Sequence, residues 1–383
     1  MPRETSTLDT PLREQLDRLA AFPPTDAPVL SLYLDMRPDQ HGRDSFQTFL
    51  RKRLPERAAT LAGNDRRSFE HDVARITLYL ENELQTSANG LAIFACSAHD
   101  GYFEAVQLGV PIDGHWLFIG RVPHLYPLAR VSDQYPRYAA LLVNTNAARL
   151  FVFSLGTTES ERQVINTKTR RTTMGGWSQA RYQRHVENFH LHHMKEVVDV
   201  LDRTVRAEGI GQIVVAGDDI ARPALMEQLP PHLRERVLDV VRLGIDTPGH
   251  EVLAETMAVM RRTDAKTDAE HVQAMLDAWR AGGLAAAGPD ETAQALEMGQ
   301  VEELQITVTP EGLRPAKPLQ DAAAGAVAID TSMPAGDLNP DRWTLADDLI
   351  TKAHQTAARI RFIEDPRLLR AVGGVGALLR FRI

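Results

Sequence analysis

Residues 168–195 read KTRRTTMGGWSQARYQRHVENFHLHHMK, and the organisation of the chain follows from this stretch outward. Within it Lys168, Arg170, Arg171, Arg181, Arg184 and Lys195 stand against one acidic residue, Glu187. His185, His190, His192 and His193 add potential positive charge. A basic loop leads to two glycines, and an amphipathic helix follows them. At about 100° per residue, Arg181, Arg184, Asn188, His192 and Lys195 fall on one stripe of that helix. Tyr182, Val186, Phe189, Val197, Leu201 and Val205 fall on the opposite half. Upstream, Ala139 to Val143 and Leu150 to Phe153 read as adjacent strands joined by the turn-prone Asn144-Thr145-Asn146, with a loop expected over 156–179. Downstream, Ile213-Val214-Val215-Ala216 reads as an apolar strand closed by Gly217-Asp218. Strand, helix and strand in succession predict an α/β domain.

The charge of this stretch needs a partner. The formal net charge of -8 argues against a protein that coats nucleic acid generally, so the positive charge is a local feature on an acidic body. A solvated charged face would explain the helix stripe alone. The basic loop before it favours phosphate, because Arg and Lys contacts to phosphate supply most nucleic-acid affinity. The histidines do not converge: His190 and His193 project towards the apolar half and His192 towards the stripe, so no metal site is expected. At the tip, Met174-Gly175-Gly176-Trp177-Ser178-Gln179, the glycines admit positive φ and close approach of backbone to a ligand. Trp177 there can stack on a nucleobase or anchor the loop to its own domain.

On either side the chain stays mixed. At 383 residues, with 43% hydrophobic and 25% charged, two or three ordinary globular domains are expected. The first part opens with a helix, breaks at Pro23, Pro24 and Pro28, and continues as a strand in which Leu30, Leu32 and Leu34 alternate with Ser31, Tyr33 and Asp35. A helix carrying Phe69, Val73, Ile76, Leu80 and Leu84 follows, then strands from Gly90 to Cys96 and Tyr102 to Leu108. From about Thr263 the pattern predicts helices near 268–281, 290–298 and 344–358 and strands near 301–309, 359–364 and 376–383. Residues 318–342, rich in Ala, Gly, Asp and Pro, read as a long loop. Gly373, Gly374 and Gly376 suggest a tight turn into the last strand. The expected domains are 1–134, 135–262 and 263–383. Cys96 lies in an apolar run and reads as a buried small hydrophobe. Met1 to Leu12 lacks a charged start followed by an apolar core, and no run of about 18 apolar residues occurs, so neither a secretory signal nor a membrane span is expected and the cytoplasm fits.

Two motifs carry a family resemblance. Gly175-Gly176-Trp177-Ser178-Gln179-Ala180-Arg181-Tyr182 resembles the Gly-Gly-Gln-Ser-x-x-Arg-Phe tip of eukaryotic and archaeal class 1 release factors. Gly373-Gly374-Val375-Gly376-Ala377-Leu378-Leu379-Arg380-Phe381 resembles the Gly-Gly-Ile-Gly-Ala-x-Leu-Arg-Tyr strand closing the third domain of release factors and Pelota. The likeness covers about residues 135–383. The chain is most similar to bacterial members of that superfamily with a Gly-Gly-Trp-Ser-Gln tip, related to the peptidyl-tRNA hydrolases of the Vms and Ankzf type. The resemblance implies three α/β domains, the central one RNase H-like and the third similar to kink-turn-binding ribosomal proteins. It also implies a translation factor meeting the ribosome at large-subunit rRNA near the peptidyl-transferase centre, with tRNA and a translational GTPase such as EF-Tu as further partners and no cofactor or metal.

The chain departs from the family in two places. The first domain matches poorly and has no Asn-Ile-Lys-Ser loop for stop codons. Trp177 stands where release factors have the glutamine that orients the attacking water, and indole offers one donor and no acceptor. Gln179, two residues on, carries the missing amide. The resemblance therefore assigns Gly175, Gly176 and Gln179 to chemistry. It assigns Lys168, Arg170, Arg171, Trp177, Ser178, Arg181, Arg184, His192 and Lys195 to RNA contact. The activity would be peptidyl-tRNA hydrolysis or tRNA cleavage in ribosome rescue. The alternative is a non-catalytic occupant of the A site, similar to the hibernation factor Balon. A third reading, action on another RNA or none, leaves the tip a plain loop.

Overall fold

The computed structural model describes residues 12–38, 45–165, 179–314, 328–332 and 339–382, with the side chains of 165–190 outside that description. Contacts divide the chain into two compact units, one of residues 135–266 and one of residues 1–134 with 267–383. Each contains mixed α/β structure, and three sheets are present among the described residues.

In the discontinuous unit, the first half holds α1 (Leu12–Ala20), β1 (Val29–Asp35), α2 (Ser45–Thr60), α3 (Gly63–Asn82), β2 (Gly90–Cys96), β3 (Tyr102–Leu108), β4 (Trp116–Gly120) and α4 (Tyr126–Gln134). Leu30, Leu32 and Leu34 face a core with Phe46, Phe49, Phe69, Ile76 and Ile93, so α2 and α3 cover one side of the sheet. Ser31 and Tyr33 on the alternate face are buried as well, each at most 1% exposed. The period-2 pattern reads as a half-exposed strand, but here the second face is covered too. Tyr33 donates its hydroxyl to the carbonyl of His124 and Ser31 accepts from the His124 N–H, while Trp343 packs 5.5 Å from Phe118, centroid to centroid.

The continuous unit is built from β5 (Tyr138–Val143), β6 (Ala147–Ser154), β7 (Thr157–Ile165), α5 (Gln179–Ala207), β8 (Ile213–Gly217), α6 (Ala221–Gln228), α7 (Pro231–Arg234) and β9 (Val237–Val241), with the first half of α8 (Gly249–Arg280). Its sheet runs β7-β6-β5-β8-β9, antiparallel from β5 to β7 and parallel from β5 to β9. Leu141, Val143, Leu150, Val152 and Val215 meet Val197, Leu201 and Val205 of α5 on one face. Phe151, Phe153, Val214 and Ala216 meet Val252, Val259 and Met260 of α8 on the other. The expected loop over 156–179 gives way to β7 over Thr157–Ile165. An edge strand is held by backbone pairing and tolerates the polar run Thr-Thr-Glu-Ser-Glu-Arg-Gln, which has no apolar alternation to announce it.

The rest of the discontinuous unit comprises β10 (Ala285–Ala287), α9 (Pro289–Glu297), β11 (Val301–Thr307), β12 (Ala328–Thr331), α10 (Pro340–Gln355), β13 (Arg359–Ile363), α11 (Pro366–Leu369) and β14 (Val375–Leu379). One sheet runs β10-β14-β11-β13; the other is completed from here, because β12 pairs with β4 to give β12-β4-β1-β2-β3. Part of the stretch expected to be a long loop is thus an edge strand, fixed by long-range contacts: Ser332 accepts from the His115 N–H, and Asp330 ion-pairs with Arg57 at 2.5 Å. The turn into β14 is as the glycines suggest, with Gly373 at φ 78° and Gly374 at φ 88°.

One buried carboxylate gives a pH-dependent prediction. Asp72 on α3 is 0% exposed and accepts from the Ser97 N–H at 2.8 Å, and burial pushes its pKa up to about 6. The folded state therefore binds this proton more tightly than the unfolded chain does. Stability falls as pH rises from about 4 to about 6 and is then level, a loss on the order of 1–3 kcal/mol. Asp72→Asn is expected to flatten that slope in urea melts taken between pH 4 and 7. An unchanged slope would assign it to other groups.

Candidate functional site

The connection between β7 and α5 carries the tip. Residues Lys168, Arg170, Arg171, Gly175, Gly176, Trp177 and Ser178 lie in 166–178, outside the described residues. Gln179 is the first residue of α5, and Arg181 and Arg184 belong to its first two turns, with side chains outside the description. The segment is bounded by β7, an edge strand paired with β6 as far as Ala147–Ile165, and by the N-terminus of a 29-residue helix. No acidic residue occupies the first turn of that helix, whose backbone N–H groups and macrodipole make its start a positive end.

Over its described side chains, α5 is two-faced in the expected sense. His193, Met194, Val197, Val198, Leu201 and Val205 are buried, whereas His192 and Lys195 are not. His193 is buried and His192 exposed, so the two lie on different faces of α5. Beyond Lys195 the outer face carries both signs. Exposed Glu196 and Asp199 stand with exposed Arg203 and Arg206, and the Asp202 carboxylate accepts from His232 at 2.8 Å and pairs with Arg206 at 2.9 Å. His232 first, and Arg206 after it, hold Asp202 below the usual carboxylate range.

Other chemistry-bearing side chains come together elsewhere. His115 lies 3.0 Å from Ser45 Oγ through Nε2, the spacing of a nucleophile and base. Its Nδ1 accepts from the Asp35 N–H at 3.2 Å, so the ring proton sits on Nε2 and points at Ser45. Such an imidazole donates to the serine and cannot take its proton, and burial lowers its pKa further. The pair is structural. Cys96 is 0% exposed and burial raises its thiol pKa, which fits the buried hydrophobe expected and makes it a poor nucleophile. The sequence does not announce the buried contact of Asp347 with the Leu125 and Tyr126 N–H groups, at 2.5 and 3.1 Å. Asp347 caps α4 from 221 residues away and belongs to the scaffold. Among the described residues no helix is long and apolar enough to cross a membrane.

Comparison with known proteins singles out the same region. The model of the family described as bacterial archaeo-eukaryotic release factor family 10 matches residues 123–261, which include the tip and all of α5. Peptide chain release factor subunit 1 of Thermococcus kodakarensis is 21% identical, over 97% of this chain and 97% of its own. The protein of the same name from Pyrococcus abyssi is 22% identical, over 97% and 98%. Among solved structures, Archaeoglobus fulgidus Pelota aligns over 79% of this chain and 82% of its own at 16% identity and a TM-score of 0.32. A model of ribosome-bound archaeal Pelota and ABCE1 aligns over 97% and 95% at 13% identity and a TM-score of 0.43. The chain is similar, at the level of the superfamily, to archaeal peptide chain release factors.

Proposed function

We propose that this protein is a ribosome-associated translation factor of the release and rescue type, with the segment between β7 and α5 as its working tip. The observation that carries the reading is the two-faced α5. One side packs into the sheet, the other carries His192 and Lys195 outward, and the helix starts three residues after Gly176 in the sequence. The full-length similarity to peptide chain release factor subunit 1 supports the same reading. In it, Lys168, Arg170, Arg171, Arg181, Arg184, His192 and Lys195 meet rRNA and tRNA phosphates near the peptidyl-transferase centre. Trp177 and Ser178 meet a base and a sugar. Gly175 and Gly176 let backbone N–H groups approach the ester, and Gln179 positions water, which adds to the carbonyl as the bond to the tRNA oxygen breaks and that oxygen takes the proton. The division into 1–134, 135–262 and 263–383 accompanies this reading. The mixed sheet β7-β6-β5-β8-β9 supports an RNase H-like centre, and residues 263–383 would be the kink-turn-protein-like part that meets a translational GTPase such as EF-Tu in the cytoplasm. Trp177 in the place of the family's glutamine favours a second reading, an A-site occupant without chemistry.

Co-sedimentation with 70S ribosomes tests the first step. Arg181→Glu with Arg184→Glu is expected to weaken binding and to lower the slope of log K against log salt by about 2, one for each phosphate no longer neutralised. Binding that stays the same across the salt series would make the stripe an ordinary solvated face.

A further inference from the structure

His115 stands one residue before β4, is 4% exposed, and ties three other elements together. Its main chain holds the end of β12. The His115 N–H donates to Ser332 Oγ at 2.8 Å, and its carbonyl accepts from Thr331 Oγ1 and from the Ser332 N–H, both at 3.0 Å. Its ring holds β1 and α2. Nδ1 accepts from the Asp35 N–H at the end of β1, at 3.2 Å, and Nε2 donates to Ser45 Oγ at the start of α2, at 3.0 Å. Phe49 of α2 packs on the ring at 5.3 Å between centroids and offers it no acceptor. β12 itself is an edge strand of four residues, paired with β4 from Ala328↔Ile119 to Thr331↔Trp116. Further along it, the Ile329 carbonyl accepts from Arg57 at 3.3 Å, and Asp330 pairs with Arg57 at 2.5 Å and Arg53 at 4.0 Å.

This arrangement holds only while the ring is neutral. Nδ1 has to be a bare acceptor, because its partner is a backbone N–H that can only donate. A proton on Nδ1 would set two donors 3.2 Å apart. The carboxylates around the ring are each matched to a guanidinium already. Asp35 pairs with Arg37 at 2.9 Å, Asp113 with Arg130 at 3.5 Å, and Asp330 with Arg57. Burial lowers the His115 pKa below the ordinary histidine value, against a smaller opposing pull from Asp35. The closed form thus binds the proton less tightly than an opened one. The hold is complete above about pH 6.5 and weakens as pH falls below it.

We propose that His115 is a proton-operated latch: a proton taken up on Nδ1 breaks the bond from the Asp35 N–H, the residue shifts, and β12 is released from the edge of β4. The ring and the main chain of one residue make the two halves of the latch, so the ring cannot leave Asp35 without disturbing the bonds to Thr331 and Ser332. With β12 gone, the row from Trp116 to Ile119 becomes an open sheet edge. The latch does not depend on what the tip binds.

Amide hydrogen exchange on the full chain, corrected for the intrinsic effect of pH on exchange, tests it. Between about pH 7.5 and about pH 5.5 the protection of residues 328–332 is expected to fall on the order of tenfold, because each unit below 6.5 favours the open form about tenfold. Residues 91–95 of β2, an interior strand, should keep their protection. His115→Gln retains an amide that accepts and donates but does not titrate, and is expected to abolish the fall. Ser332→Ala removes one hold on β12 and leaves the ring alone, so protection should be lower at every pH with the fall retained. Level protection of 328–332 across the range would overturn the latch, as would a fall of the same size in His115→Gln. If His115→Gln does not fold, the imidazole nitrogen shifts of the unaltered protein decide. Nδ1 should be bare at about pH 7.5 and take its proton with the same midpoint as the loss of protection. A proton on Nδ1 at neutral pH, or a different midpoint, would overturn the proposal.

Discussion

Gln179→Ala is expected to lower release of labelled peptide from a stalled ribosome complex by on the order of a hundredfold or more, with co-sedimentation unchanged. Ester hydrolysis needs a group that both accepts from water and donates towards the developing charge. Among the side chains at the tip only the Gln179 amide does both through one rigid group, because Trp177 has a single donor. Gln179 opens α5, so the start of a helix anchored through Met194, Val197 and Leu201 sets its backbone position. The phosphate contacts are assigned to other residues, which is why binding should survive. If peptide release is absent with either residue at 179, the A-site occupant is the better reading. Trp177→Ala is then the variant that weakens ribosome binding, by about 1–3 kcal/mol of stacking.

Removal of residues 373–383 is expected to unfold the discontinuous unit. β14 is an interior strand: Ala285–Ala287 pair with it on one side and residues 301–306 on the other, so its loss orphans β10 and opens β11. Val375, Gly376 and Ala377 are buried, and Met275 of α8 packs against the space at Gly376. The truncated chain should be cleaved within minutes by a protease that leaves the full chain whole, and should aggregate through its exposed core. Gly374→Ala is the milder form of the test. A Cβ there would lie 2.5 Å from the Gly312 carbonyl oxygen, at a φ of 88° that L-residues rarely adopt. A cost on the order of 3 kcal/mol is expected, lowering Tm by about 6–12 °C. A soluble truncation with a cooperative melt would show that β14 is dispensable to the core.

Local pattern and global structure contributed differently. The strands β1, β5 and β8, the two faces of α5, the burial of Cys96 and the glycine turn before β14 are all readable from residues a few positions apart. Period 2, period 3.6 and positive φ are local properties of the chain. The basic character of residues 168–195 is equally plain, since charge is carried by composition. What lies beyond Lys195, where exposed Glu196 and Asp199 share the outer face with Arg203 and Arg206, needs the helix built and its buried side identified. β7 and β12 are edge strands whose side chains carry no alternation; only their pairing with β6 and β4 makes them strands. Ser31 and Tyr33 look like the wet face of β1 until α10 and the chain before α4 close over them. Asp347 capping α4 joins residues more than two hundred positions apart, and no local rule relates them. By itself the sequence determined many of the apolar strands and helices, the α/β class and a basic tip rich in glycine. Tertiary structure alone decided which edges are paired and which polar groups are buried, because those depend on contacts whose two halves lie far apart along the chain.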